Sequence, residues 1–140
     1  MNKTILVDVG SSTLKVYEQS LGTVTLIWAK SIAFKTDFNP NIGISQSNMK
    51  ELVRTLTELK TKNPSVQIKL FATAIFRKLE SKAKKDIVDK IYLSTGLHFN
   101  IISQDLENFY LQSALIGKYQ SSEPVLLVNI GGGSTELVVT

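Results

Sequence analysis

The chain has 140 residues, 43% of them apolar and 20% charged, which is the balance of a globular protein with enough length to bury a core. It carries 16 Lys and Arg against 12 Asp and Glu, a net charge of +4 that suits a polyanionic partner, and it has no cysteine, which excludes disulfides and thiolate metal sites. No stretch reads as a signal peptide and no apolar run is long enough to span a bilayer, so a cytoplasmic protein without a membrane partner is expected.

The elements follow in order. KTILVDVG, Lys3 to Gly10, is a strand of branched apolar residues that ends in an acid and a glycine. Ser12 to Gln19 alternates again, and after a turn at Leu21-Gly22 a third strand runs from Thr23 to Phe34, giving an antiparallel meander. Trp28 alternates with Leu26 on that strand and reads as core or sheet surface. Beyond an Asn-, Pro- and Gly-rich loop, Asp37 to Gly43, Ser47 is expected to cap a helix. Met49, Leu52, Val53, Leu56 and Leu59 share one face of it, and it ends before Asn63-Pro64.

A strand is expected over Val66 to Thr73, then a helix through RKLESKAKKDIVDK, Arg77 to Lys90, stopped by Gly96. Leu79, Ala83, Ile87 and Ile91 keep helical spacing behind five lysines and an arginine, so the basic residues read as a solvated face, or as a rim that attracts a polyanion. No aromatic residues interleave with them, and nucleic acid is not expected as a partner. His98, the only histidine, starts a strand to Ser103 and reads as structural, because no metal ligands are spaced around it. A helix from Gln104 to about Tyr119 follows, with Phe109 and Tyr110 on its buried side, and then a final hairpin. The fold class is therefore α/β, a mixed sheet of three antiparallel strands followed by alternating helices and strands.

That hairpin, VLLVNIGGGSTELVV, places Gly131, Gly132 and Gly133 beside Ser134 and Thr135. Three glycines exceed what one tight turn needs, and free N–H groups flanked by hydroxyls make an anion cradle, although a purely structural hairpin is the alternative. LVDVGSSTLKV near the start has the same form, so the hairpin is duplicated.

Four segments in order carry a family resemblance. VDVGSSTLKVYE resembles the first phosphate loop of the exopolyphosphatase and guanosine pentaphosphate phosphohydrolase family, usually Asp-x-Gly-Ser-Asn-Ser. FATAIFRKLES resembles its Ala-Thr-Ser-x-x-Arg segment, IISQDLENFYL its Ile-Ser-Gly-x-Glu-Glu helix start, and NIGGGSTELVV its second phosphate loop. The resemblance implies a ribonuclease H-like sheet of the actin, sugar-kinase and Hsp70 superfamily. It implies a first lobe over residues 1–123 and the opening hairpin of a second lobe over 124–140, as the amino-terminal portion of a longer phosphatase.

It also implies hydrolysis of a terminal phosphoanhydride on inorganic polyphosphate or a guanosine nucleotide, with Mg²⁺ as cofactor. Glu107 matches the family's catalytic glutamate, and Asp105 is the competing acid, with a first-turn acid at a helix start as its alternative reading. Gly10, Ser11, Ser12, Thr13, Arg77, Gly131, Gly132, Gly133, Ser134 and Thr135 would hold phosphate, and Asp8, Asn129 and Glu136 would serve the metal. Asn129 stands where the family's second loop begins with aspartate, and neutral asparagine lacks the charge that favours Mg²⁺. Ser12, Thr13, Ala74 and Ser81 also depart from the pattern, and Asp105-Leu106 dilutes its acidic run. Asn129 supports a second expectation, a noncatalytic module that senses polyphosphate or a nucleotide. A small-molecule kinase of the same superfamily is a third. The apolar edges of the final hairpin need either packing on the first lobe or pairing with another chain, and a homodimer is one expectation.

Overall fold

A computed structural model describes residues 3–116, 126–130 and 135–139. Alternation in KTILVDV turns Ile5, Val7 and Val9 to one face, where all three are fully buried, and leaves Leu6 and Asp8 on the other. This strand, β1 (Lys3–Val9), lies at the centre of a five-stranded sheet of order β3-β2-β1-β4-β5. β2 (Thr13–Ser20) and β3 (Thr23–Ser31) continue antiparallel on one side, while β4 (Gln67–Ala72) and β5 (Phe99–Ile101) run parallel on the other. Leu21 and Gly22 both take positive φ, 53° and 76°, as a two-residue hairpin turn with native strand twist requires.

Among the described residues three α-helices alternate with the later strands: α1 (Gln46–Lys62), α2 (Ser81–Thr95) and α3 (Gln104–Ile116). Leu52 and Leu56 of α1 and Ala83, Ile87 and Ile91 of α2 join Ile5, Val7, Val9, Leu14 and Val16 in one core, so α1 and α2 cover the same sheet face. A final antiparallel pair, β6 (Leu126–Ile130) and β7 (Thr135–Val139), forms a separate two-stranded sheet. Among the described residues the expected order of strands and α-helices holds, with a 3-10 turn added between β4 and α2.

Several local readings need correction. Ser45, not Ser47, caps α1: its backbone is extended and its hydroxyl accepts the Asn48 N–H at 3.2 Å, while Ser47 already lies inside the helix. Ser45→Ala should therefore lower stability by about 1 kcal/mol and Ser47→Ala by far less, read as midpoints of urea unfolding. The basic segment is not one helix. A 3-10 turn, Ala74–Lys78, comes first, and Leu79 and Glu80 then return to extended backbone before α2 begins. Leu79 is drawn into the core there, which breaks the helical path. Gly96 stops α2 as expected, in the left-handed conformation at φ 75°.

Phe109 and Tyr110 are exposed rather than buried, at 59% and 49%. Trp28 is a sheet-surface residue at the edge. The register shift between Val16 and Tyr17 leaves Ile27 as the extra residue of a bulge, and Trp28 pairs across from Val16. His98 packs its ring against Tyr92 at 5.0 Å, in keeping with its structural reading. Among the described residues no helix is long and apolar enough to cross a membrane.

Candidate functional site

The sheet face opposite α1 and α2 carries the chemistry. Asp8, one residue from the end of β1, sits between Lys15 of β2 and Phe71 of β4. With Val7 and Val9 turned into the core, strand alternation sends its side chain to the other face. There it lines a cleft of about 630 Å³ together with Leu6, Tyr17, Phe71, Thr73 and Glu107. Burial pushes the Asp8 carboxyl above its ordinary value, the Glu107 charge pushes it further, and Lys15 and a hydrogen bond from the Thr73 hydroxyl pull it part of the way back. Burial and then the Asp8 charge raise the Tyr17 phenol as well.

The sign of that shift makes Asp8 a local liability for folding. At neutral pH the charged form is disfavoured in the fold, and the penalty fades as pH falls through the raised value towards the ordinary 3.8. Asp8→Asn should therefore melt at a higher temperature than the wild type at pH 7, and the difference should vanish below 3.8. Equal melting temperatures at pH 7 would show that the cleft solvates the carboxylate fully.

The loop Gly10–Thr13 leaves β1 beside Asp8. The Gly10 N–H donates to the Thr13 carbonyl at 3.0 Å, and the carbonyls of Ser11 and Ser12 accept from Lys35 and Ile32 at 3.1 Å each. These bonds use the loop's backbone but not its hydroxyls. Ser11 Oγ, Ser12 Oγ and Asp8 Oδ1 are buried with no hydrogen-bond partner. Three orphaned oxygens within five residues mark a place built for a polar ligand or ordered water.

On the far side of β1, β4 ends at Ala72, and the chain turns sharply through Ala74, whose φ of 54° is costly for a residue with a side chain. That turn delivers Arg77. Its Nη1 donates to Glu107 Oε2 at 2.6 Å and to the Ile102 carbonyl at 3.4 Å, and its Nη2 donates to Gln104 Oε1 at 2.8 Å. Glu107 is held in turn by the start of α3. The Ser103 carbonyl accepts the Glu107 N–H at 3.0 Å, and the Ser103 hydroxyl accepts the Leu106 N–H at 3.1 Å.

The structure thus brings Asp8, Arg77 and Glu107 to one region, beside the loop of Gly10, Ser11, Ser12 and Thr13. Asp105, in the first turn of α3, is exposed and is absent from the cleft lining. Arg77 lies on the 3-10 turn rather than at a helix start, and it meets a carboxylate directly. Asn129 stands opposite Glu136, and Ile130 opposite Thr135, in the β6–β7 ladder. Gly131, Gly132, Gly133 and Ser134 lie outside the described residues.

Sequence reasoning passed over Thr73 and Gln104. Both had a signal: Thr73 follows directly on a strand whose neighbour bears Asp8, and Gln104 lies three residues before Glu107, on the same face of a helix. Among the described residues no group of three or more His, Cys, Asp or Glu gathers as a metal cage. The orphaned Asp8 oxygen and the Glu107 carboxylate are hard oxygen donors on one cleft, a set that fits Mg²⁺, which keeps several of its own waters.

No curated protein matches the chain. Among solved structures, an exopolyphosphatase from Cytophaga hutchinsonii superposes with a TM-score of 0.78 at 16% identity, covering 99% of this chain and 46% of its own. The Ppx/GppA family member of Aquifex aeolicus gives 0.74 at 21% identity, with 99% and 47% covered. The ethanolamine utilization protein EutJ from Carboxydothermus hydrogenoformans gives 0.56 at 12%, with 98% and 47% covered. The chain spans about half the length of these proteins. At such identities the likeness shows the fold alone, the α/β fold of these structures. The sequence profile of the Ppx/GppA phosphatase family matches residues 18–140, and the chain belongs to that family.

Proposed function

We propose that this chain is the amino-terminal part of a phosphatase that hydrolyses terminal phosphoanhydride bonds of inorganic polyphosphate or guanosine pentaphosphate and releases orthophosphate. The observation that carries the reading is the convergence of Glu107, Asp8 and Arg77 beside the Gly10–Thr13 loop, in a chain of the Ppx/GppA phosphatase family.

Phosphoryl transfer leaves the protein little covalent work, so positioning and charge stabilisation dominate. Glu107, fixed by Arg77 and Ser103, orients a water against the terminal phosphorus and takes its proton. The water oxygen bonds to phosphorus, the bridging P–O bond breaks, and the shortened chain leaves with the bond's electron pair. The Ser11 and Ser12 hydroxyls and the loop N–H groups other than that of Gly10 bind the phosphate oxygens, and the resemblance gives the second loop, Gly131 to Thr135, the same task. Asp8 would hold Mg²⁺, whose charge when bound offsets the phosphates and the repulsion between the Asp8 and Glu107 carboxylates.

The test is orthophosphate release from polyphosphate and from guanosine pentaphosphate with Mg²⁺, beside the variant Asn129→Asp. Release from either substrate supports the reading, and the better substrate names the class. Binding without release, with activity appearing only in Asn129→Asp, would select the sensing module instead. Transfer of phosphate from ATP to a hydroxyl acceptor would select the kinase.

A further inference from the structure

We propose that Gln104 is a positioning residue: it holds the second nitrogen of the Arg77 guanidinium, so that Arg77 is latched to α3 and acts by orienting Glu107 rather than by binding phosphate. Gln104 and Glu107 are three residues apart, neighbours on one face of α3. The guanidinium spans both, Nη2 to Gln104 Oε1 at 2.8 Å and Nη1 to Glu107 Oε2 at 2.6 Å. Gln104 is itself steadied one turn on, where its Nε2 donates to Asn108 Oδ1 at 3.2 Å. Because the amide fixes which end faces Arg77, the oxygen must point to the guanidinium and the nitrogen to Asn108.

Two bonds from separate nitrogens prevent the guanidinium from rotating about its Nε–Cζ bond, and a fixed guanidinium fixes the carboxylate that it grips. Without Gln104 the Glu107 and Ile102 bonds, both from Nη1, would remain, with one hydrogen bond fewer to hold the guanidinium plane. The pair is only 17% and 21% exposed, so little water competes for it.

Rotation of the Arg77 guanidinium, measured by nitrogen-detected NMR in the 140-residue chain, tests the latch. Gln104→Ala should speed the rotation about tenfold, the effect of one lost hydrogen bond, and Gln104→Glu should restore slow rotation through a charge-assisted bond. Arg54, paired with Glu51 and Glu58 on α1, is the internal control and should not change. Unchanged Arg77 rotation in a folded Gln104→Ala variant would overturn the latch.

The kinetic arm rests on the phosphatase reading. Gln104→Ala should lower kcat about tenfold at constant KM, because only the orientation of the attacking water is lost. A raised KM at constant kcat would place Arg77 on the phosphate and overturn the positioning role. Absence of turnover in every variant would overturn the phosphatase reading while the NMR result alone decides the latch.

Discussion

A Glu107→Gln variant should release orthophosphate about 10²- to 10⁴-fold more slowly than the wild type, with substrate binding largely kept. Glutamine keeps the size of the side chain, and its carbonyl oxygen can still accept from Arg77 Nη1, so the start of α3 should stay in place. It cannot take a proton from water at neutral pH. The substitution also removes one of the two carboxylate charges on the cleft, which lowers repulsion against a polyanion and should tighten rather than weaken binding. The combination of tighter binding and slower release separates loss of chemistry from loss of fold. Steady-state phosphate release and equilibrium binding of the same substrate check it, and unchanged turnover would remove Glu107 from the mechanism.

Phe76→Ala should destabilise the protein by about 3–5 kcal/mol, a large share of the roughly 5–15 kcal/mol that holds most domains together. Phe76 is fully buried and stands between two other rings, edge-on to Phe34 at 5.6 Å and to Phe99 at 5.1 Å. It lies on the 3-10 turn directly before Arg77, so the cavity would open beneath the residue that grips Glu107. Guanidinium unfolding monitored by circular dichroism measures the loss. A shift below about 1 kcal/mol would mean that Phe34 and Phe99 close the gap by repacking.

How far the fold can be read from the chain depends on which forces decide each element. Alternating branched residues in Ile5, Val7 and Val9 leave one solution for β1, and the same alternation carries Asp8 to the open face. The spacing of Ala83, Ile87 and Ile91 is equally decisive, and all three are buried. Boundaries are less legible because near-equivalent residues compete. Ser45 and Ser47 are equally good caps, and the choice rests on where the preceding loop delivers the chain. Leu79 and Glu80 break the basic segment: the burial of Leu79 was legible in its spacing, but the extended backbone that delivers it between the 3-10 turn and α2 was not. α3 offers apolar residues beside acidic ones, so its periodicity could not say that Phe109 and Tyr110 face outward.

For the site, the acids and the arginine were legible as residue types, but their partnership was not. Arg77 and Glu107 are 30 positions apart, and only the parallel pairing of β4 and β5 beside β1 brings their turns to the same end of the sheet. Gln104 and Thr73 carry no charge, and their roles arise from what they touch.

The central position of β1 also orders events in time. Its partner β2 follows within a few residues, so that hairpin can close as soon as both strands have left the ribosome, at little entropic expense. Its other partner, β4, begins at Gln67, and α3, which bears Glu107, begins at Gln104. Asp8 is therefore made early and waits for Thr73 and then Glu107. During synthesis Thr73 and the Glu107 charge that raises the Asp8 carboxyl therefore reach it after the meander is complete.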